Sequence, residues 1–339
     1  MAGLFPFVTP LALVALVAAG LFSSDRWPWA AFAGWAFVFV VHPLLDRIFG
    51  EAEPVPALRP SPALRGAHSA LLWAYVPLQV ALLVGYLAWP ERPPMGSLAW
   101  WGAVFSTGSL IGAIGITVAH ELVHRGRAWE RGLGVLLLST VGYAHFRVEP
   151  VLGHHRHVGT PLDAATARRG ESLYAFWLRS LWNGFRSAWR IETERLAVRP
   201  PLARVFGNRV LGYVILQTGG LAVAAWTFGI GAAAFLVGQA IMAVLLLETV
   251  NYLEHYGLER RELAPGRYEP VRDEHSWDSR HRMTNWILFN LGKHAHHHRH
   301  PSLPYERLEN AQEGRTLPFG YSTMLWIAAV PSLWRRTMG

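Results

Sequence analysis

The sequence predicts an all-α integral membrane protein of about six transmembrane helices, with a histidine-rich cap on the cytoplasmic side. Three observations predict it. The 339 residues are 52% hydrophobic and only 16% charged, with a mean hydropathy of +0.20, too apolar for an ordinary soluble domain. The apolar residues fall in blocks long enough to span a bilayer. Finally, the chain has 16 histidines and no cysteine, and most of the imidazoles stand in four tight groups at or near the ends of those blocks.

The spans follow in order. Residues 1–24 carry no charge; with no basic leader region and further spans behind them, they read as a retained first helix over 4–22 rather than a signal peptide. Apolar blocks at 27–46, 68–89 and 97–119 give the next three. No charge occurs between Arg209 and Glu248, and Thr227-Phe-Gly-Ile-Gly231 breaks that stretch into a hairpin of 210–228 and 231–252. Two shorter runs remain. The run 132–146 has 15 residues, roughly 22 Å of helix, too short to cross alone. It is expected to be re-entrant or buried beneath the cap. The run 318–334 contains Pro331, precedes Arg335 and Arg336, and reads as lying in the membrane interface. The chain is thus a single membrane domain over 1–339, its histidines carried by segments 120–208 and 253–317.

Charge sets the orientation. The short loops 23–26, 90–96 and 227–231 hold Arg26 and Arg92 as their only basic residues. The longer segments carry nearly all other arginines, so both termini and the histidine groups belong on the cytoplasmic face of a bacterial-type inner (plasma) membrane. The net charge of +8 and pI near 10.2 are explained by this bias, and nothing else points to nucleic acid.

The first histidine group is His120-Glu-Leu-Val-His124. Four residues apart at a helix end, the two imidazoles share one face, as a metal pair requires. The likeness to the H-E-x-x-H zinc protease motif is superficial, because that chemistry needs a water-exposed cleft and a further ligand. Gly153-His154-His155 lies in a basic loop; adjacent histidines cannot share a helical face and suit one ligand to each of two metals. His255 closes the last span on a face with Glu248 and Asn251. An intramembrane glutamate is costly and is expected to fix an imidazole tautomer or to pair with an arginine. His294, His297 and His298 form a continuous helical face. Eight imidazoles exceed the needs of one ion and predict a di-metal cap. All-nitrogen ligation suits Fe, Cu, Ni or Zn, and redox iron fits spans able to deliver a hydrocarbon. With no cysteine there is no disulfide, no thiolate haem and no cysteine-held iron here, so electrons must come from another protein or an organic cofactor. A metal transporter would need polar groups at mid-span, and the spans are nearly free of them.

The motifs resemble those of the membrane-bound alkane 1-monooxygenases, within the di-iron group that includes the membrane fatty-acid desaturases. His120-Glu-Leu-Val-His124-Arg125 is similar to HELxHK, and Glu149-Pro-Val-Leu-Gly-His154-His155 to EHxxGHH. Asn251-Tyr-Leu-Glu-His255-Tyr-Gly-Leu258 is similar to NYxEHYGL, the block that separates alkane hydroxylases from desaturases. His275-Ser-Trp-Asp-Ser279 resembles HSWNS, and Leu291-Gly-Lys-His294-Ala-His-His297-His298 resembles LQRHxDHH. The resemblance implies ligands His120, His124, His154, His155, His255, His294, His297 and His298 around two iron ions. It implies terminal hydroxylation of an alkyl chain by O2, with electrons from rubredoxin and an NAD(P)H-dependent rubredoxin reductase. Glu248, Asn251 and Glu254 are the accompanying candidate catalytic residues. Relatives acting on a methyl-aromatic or another lipid substrate are the alternative.

Two positions depart from the pattern. Pro150 stands where the family has a ligand histidine, and His296 where it has aspartate. Either His145, His157 or His296 substitutes, or one metal keeps an open position, or metal binding is impaired; restoring Pro150→His is expected to raise bound iron. Substrate length would depend on a bulky plug among candidates such as Trp35, Phe37, Trp73 and Trp101.

Overall fold

A computed structural model of the chain describes residues 3–53, 61–149, 153–311 and 314–339. The architecture is all-helical apart from a few two- and three-residue strands. In chain order the helices that matter are α1 (Phe5–Phe22), α2 (Pro28–Phe49), α3 (Pro62–Ala88), α4 (Leu98–Val123), α5 (Ala128–Ser139), α6 (Leu173–Leu196), α7 (Arg209–Phe228), α8 (Ile230–His255), α9 (Arg282–Ile287), α10 (His294–Arg299), α11 (Tyr321–Ala329) and α12 (Pro331–Met338). Six of these, α1 to α4, α7 and α8, are long and apolar enough to cross a membrane.

Local chemistry sets the ends. Helix α3 begins at Pro62, earlier than the apolar block, because the Ser61 hydroxyl accepts from the Leu64 N–H and proline suits the first helical position. Helices α4 and α8 run past their apolar blocks, which puts His120 and His255 on helical backbone.

Helix α4 is the hub, with 89% of its apolar window buried, against 11% for the lipid-facing α7. Its glycines allow the close approach. A Cβ on Gly108 would stand 2.5 Å from Met242 Cβ, and one on Gly112 2.8 Å from the Ala243 carbonyl oxygen, both on α8. Small residues spaced this way let membrane helices pack backbone to backbone. Helices α2 and α4 each contain a π-turn, at Phe37–Val41 and Ile111–Gly115, lodging an extra residue in the helix.

Neither of the two shorter apolar runs forms a helix long enough to span a membrane. Helix α5 folds back onto the end of α4, where a Cβ on Gly134 would stand 2.8 Å from the Val123 side chain. The membrane glutamines hold its far end: Gln79 Nε2 donates to Thr140 Oγ1 at 2.9 Å, and Gln239 Nε2 donates to the Thr140 carbonyl at 2.9 Å. The run 318–334 breaks at Pro331 into α11 and α12. It does more than lie at an interface, because α11 buries Tyr321, Met324 and Ala328 in the core.

Candidate metal centre

The eight singled-out histidines converge from four separate stretches of chain. They form two groups of four, His120, His124, His155 and His297 in one, and His154, His255, His294 and His298 in the other. Within each group one nitrogen per ring lies within 4.8 Å of all the rest. His120 and His124, at the end of α4, keep their rings 4.8 Å apart. His154 and His155 divide, one to each group, as adjacent side chains must. On α10, His294 and His298 are one turn apart and face together, while His297 turns to the other group. The groups stand side by side, with the His155 and His298 rings 4.6 Å apart.

The donor set fits two nitrogen-ligated ions. Nε2 of His120 and His297 are 2.8 Å apart, His255 and His294 3.1 Å, and His294 and His298 2.9 Å. Among the described residues, Nε2 of His124 and both ring nitrogens of His155 are buried without a hydrogen-bond partner, a costly state that a metal bond would relieve. Burial, reinforced by neighbouring imidazoles, holds His155, His294, His297 and His298 well below the usual imidazole pKa, and His124 falls to about 4. These rings are therefore neutral, the form that ligates. His154 is the exception. Burial, the largest single influence, opposes its charge, but Asp163 with Glu149 and Glu248 together outweigh it and the pKa rises.

Several side chains outside the two groups hold them in place. Asp163 Oδ2 lies 2.9 Å from His154 Nδ1 and also accepts from the Thr166 hydroxyl. The Glu149 carboxylate accepts from the His154 N–H at 3.1 Å. Gly153 leaves room for that carboxylate, since a Cβ would stand 1.8 Å from Glu149 Oε2. Asp278, in the His-Ser-Trp-Asp-Ser segment, accepts from the Ala295 N–H at 2.7 Å and the Ala311 N–H at 3.2 Å, anchoring the start of α10. Glu121 pairs with Arg125 at 2.7 Å and accepts from the Tyr305 N–H, joining α4 to the C-terminal segment.

The three acidic and amide candidates occupy different places. Glu254 Oε2 is 3.2 Å from His294 Nε2, and its other oxygen accepts from the Tyr321 hydroxyl at 2.7 Å. Among the described residues Glu248 forms no hydrogen bond or ion pair with an imidazole or an arginine; it accepts from Tyr143 at 2.8 Å and Ser180 at 2.6 Å, with Asn251 beside it. The carboxylate beside His154 is Asp163, a residue the sequence does not single out. Among the proposed substitutes, His145, His157 and His296 join neither group. His296 Nδ1 accepts from the Glu309 N–H at 2.9 Å, and His145 packs edge-to-face against Tyr143 and Phe185. Pro150 lies outside the described residues.

A narrow, mostly apolar cavity opens beside the histidines. His120, His154, His155, His294 and His298 close one end, and Leu13, Val17, Gly34 and Leu110 line it deep in the bundle. Of the bulky candidates, Phe37 lines it; Trp35, Trp73 and Trp101 do not. Water has little to bond to in the deep half, and an alkyl chain fits its chemistry.

Comparison with known proteins agrees with this geometry. The family model described as "Fatty acid desaturase" matches residues 95–328. Alkane 1-monooxygenase 1 of Pseudomonas aeruginosa is 40% identical over 90% of this chain and 82% of its own length. Alkane 1-monooxygenase 1 of Alcanivorax borkumensis is 35% identical over 94% of this chain and 80% of its own. The xylene/toluene monooxygenase hydroxylase component of Pseudomonas putida is 24% identical over 98% of this chain and 85% of its own.

Proposed function

The chain belongs to the fatty acid desaturase family and, within it, to the alkane 1-monooxygenases, and on that premise we propose that it is a di-iron enzyme placing one oxygen atom of O2 on the terminal carbon of an alkyl chain. It is an integral membrane oxidoreductase. The observation that carries the proposal is the pair of four-histidine groups closing one end of an apolar cavity. His120, His124, His155 and His297 would hold one iron, and His154, His255, His294 and His298 the other. When bound, the irons would supply the activation of dioxygen. Balanced overall, alkane, O2, two electrons and two protons give alcohol and water.

The protein's own part is binding and positioning. The deep cavity takes the apolar chain and leaves its terminus at the histidine end, where proximity replaces a chance encounter. The walls exclude water from that end. Asp163 keeps the His154 proton on Nδ1 and turns Nε2 inward, the usual arrangement for a ligating imidazole. Glu254, held by Tyr321, is the carboxylate nearest the reacting end, while Glu248 and Asn251 support the polar wall beside His154. With no cysteine in the chain, electrons are proposed to arrive from rubredoxin, reduced by an NAD(P)H-dependent reductase. The charge bias supports a cytoplasmic metal centre in an inner membrane.

Metal analysis of purified protein, with Mössbauer spectra, tests the centre: two irons per chain are expected, and one iron or zinc would overturn it. Product analysis over a panel of alkanes, methyl-aromatics and fatty-acyl chains tests the substrate. Terminal alcohols from alkanes are expected; no alkane product, with turnover of another class, would overturn that half.

A further inference from the structure

The alkyl cavity has one polar stretch of wall that hydrocarbon binding does not explain. Along α2 its face reads Gly34, Phe37, Val38 and His42, a helical stripe that is apolar until it meets an imidazole. His42 is 4% exposed. Its Nδ1 lies 2.7 Å from Ser322 Oγ on α11, a second cavity-lining residue. Its Nε2 lies 3.4 Å from Asp46 Oδ2 and 3.4 Å from Thr284 Oγ1. The Phe37 ring stacks parallel to it at 6.2 Å. Ser322 directly follows Tyr321, whose hydroxyl donates to Glu254 beside His294. His42 and Ser322 line the same cavity as Tyr321, Glu254 and His294, with Ser322 one peptide bond from Tyr321.

Structural duty accounts for Asp46 fully and for His42 only through its bond to Ser322. Asp46 accepts from both the N–H and the hydroxyl of Thr284, at 2.9 and 2.7 Å, and so ties α2 to α9. Gly320 makes room for that carboxylate, since a Cβ there would stand 2.0 Å from Asp46 Oδ2. His42 adds only long contacts to this joint, yet a polar group inside a span is costly and is retained where it has work. The acceptors facing Nε2 assign the ring proton to that nitrogen, which leaves Nδ1 to accept the Ser322 hydroxyl proton. The Ser322 oxygen then keeps lone pairs for a donor arriving from the cavity.

An alkane has no such donor; a primary alcohol does. We propose that Ser322 and His42, backed by Asp46, form a subsite for the hydroxyl of a primary alcohol at the reacting end of the cavity. The inference rests on the reading of the product as a terminal alcohol. The subsite holds that product after it forms and binds added alkanol in competition with alkane.

The test uses the purified full chain in nanodiscs and measures dissociation constants of n-decane and 1-decanol by displacement of radiolabelled decane. Ser322→Ala removes one hydroxyl, and His42→Leu leaves the Thr284–Asp46 joint intact. In each variant the affinity for decanol relative to decane is expected to fall about tenfold, the worth of a typical buried hydrogen bond. An unchanged ratio in both variants, or an equal loss for both ligands, would overturn the subsite. The ratio is read without turnover, so it is independent of iron content and product analysis, on which the functional reading stands or falls.

Discussion

Asp163 shows how much of the centre rests on residues that touch no metal. It sets the tautomer of His154 through a 2.9 Å contact. Asp163→Ala is expected to weaken iron retention by about 10–100-fold, read by chelator competition, with Asp163→Asn recovering part because its amide oxygen can still accept. Full retention in the alanine variant would show that His154 needs no such partner. Gly153→Ala is expected to act on the same imidazole from the backbone side: its Cβ would displace the Glu149 carboxylate, and iron per chain should fall with the rest of the fold intact by circular dichroism. At this scale the sequence was legible wherever the spacing was local. His120 with His124 and His294 with His298 are one helical turn apart, and the splitting of His154 from His155 follows from adjacency. Asp163, Asp278 and Tyr321 were not assignable: Asp163 reaches His154 across a loop of no regular period, Asp278 holds backbone N–H groups, and Tyr321 meets Glu254 from a distant segment, and a sequence carries no signal for such pairings.

Among the elements, α6 shows how a segment without an apolar block is fixed to the bundle. Its Glu192, fully buried, accepts from the Arg209 Nε and N–H at 3.0 Å each and from Arg195 at 2.7 Å, fastening α6 to the start of α7. Burial alone would raise its pKa; the hydrogen bonds from Arg209 and Arg195 reverse that and hold it at about 2. A depressed carboxylate stabilises above its unfolded value, about 4.5, and loses that contribution as pH falls through about 2. Glu192→Gln should therefore cost about 2 kcal/mol near neutral pH. The gap in thermal midpoint between it and the wild type should narrow as the medium is acidified; a gap independent of pH would refute the charge argument. The spans themselves were readable from hydrophobicity. The folding back of α5 was readable only as a length too short to cross, since its anchors, Gln79 and Gln239, lie in other helices.

For the whole molecule, the cavity is what joins a membrane bundle to a metal cap. Its depth is set where α1, α2 and α4 meet, at Leu13, Val17, Gly34 and Leu110. Leu13→Phe is expected to shift the preferred alkane toward shorter chains while leaving iron content unchanged, checked by product yields across a chain-length series. An unaltered length profile would place the terminus of the substrate elsewhere. The sequence named four bulky plugs and could not choose between them, because which face of a span looks inward depends on its neighbours. The structure leaves Phe37.

The π-turn at Ile111–Gly115 also fixes the direction in which the end of α4 points. Each residue of a helix advances about 100° of rotation, and this turn inserts one more than the regular pitch would hold. Deleting a single residue there, such as Ala113, would let α4 close into an even coil. The histidines beyond it would keep their facing, whereas straightening the turn with all its residues kept would swing His120 and His124 by about a quarter of a circle away from His155 and His297. The turn is thus an angular setting: the membrane half of α4 can stay locked to α8 through its glycines while the last two turns are clocked to the metal cap.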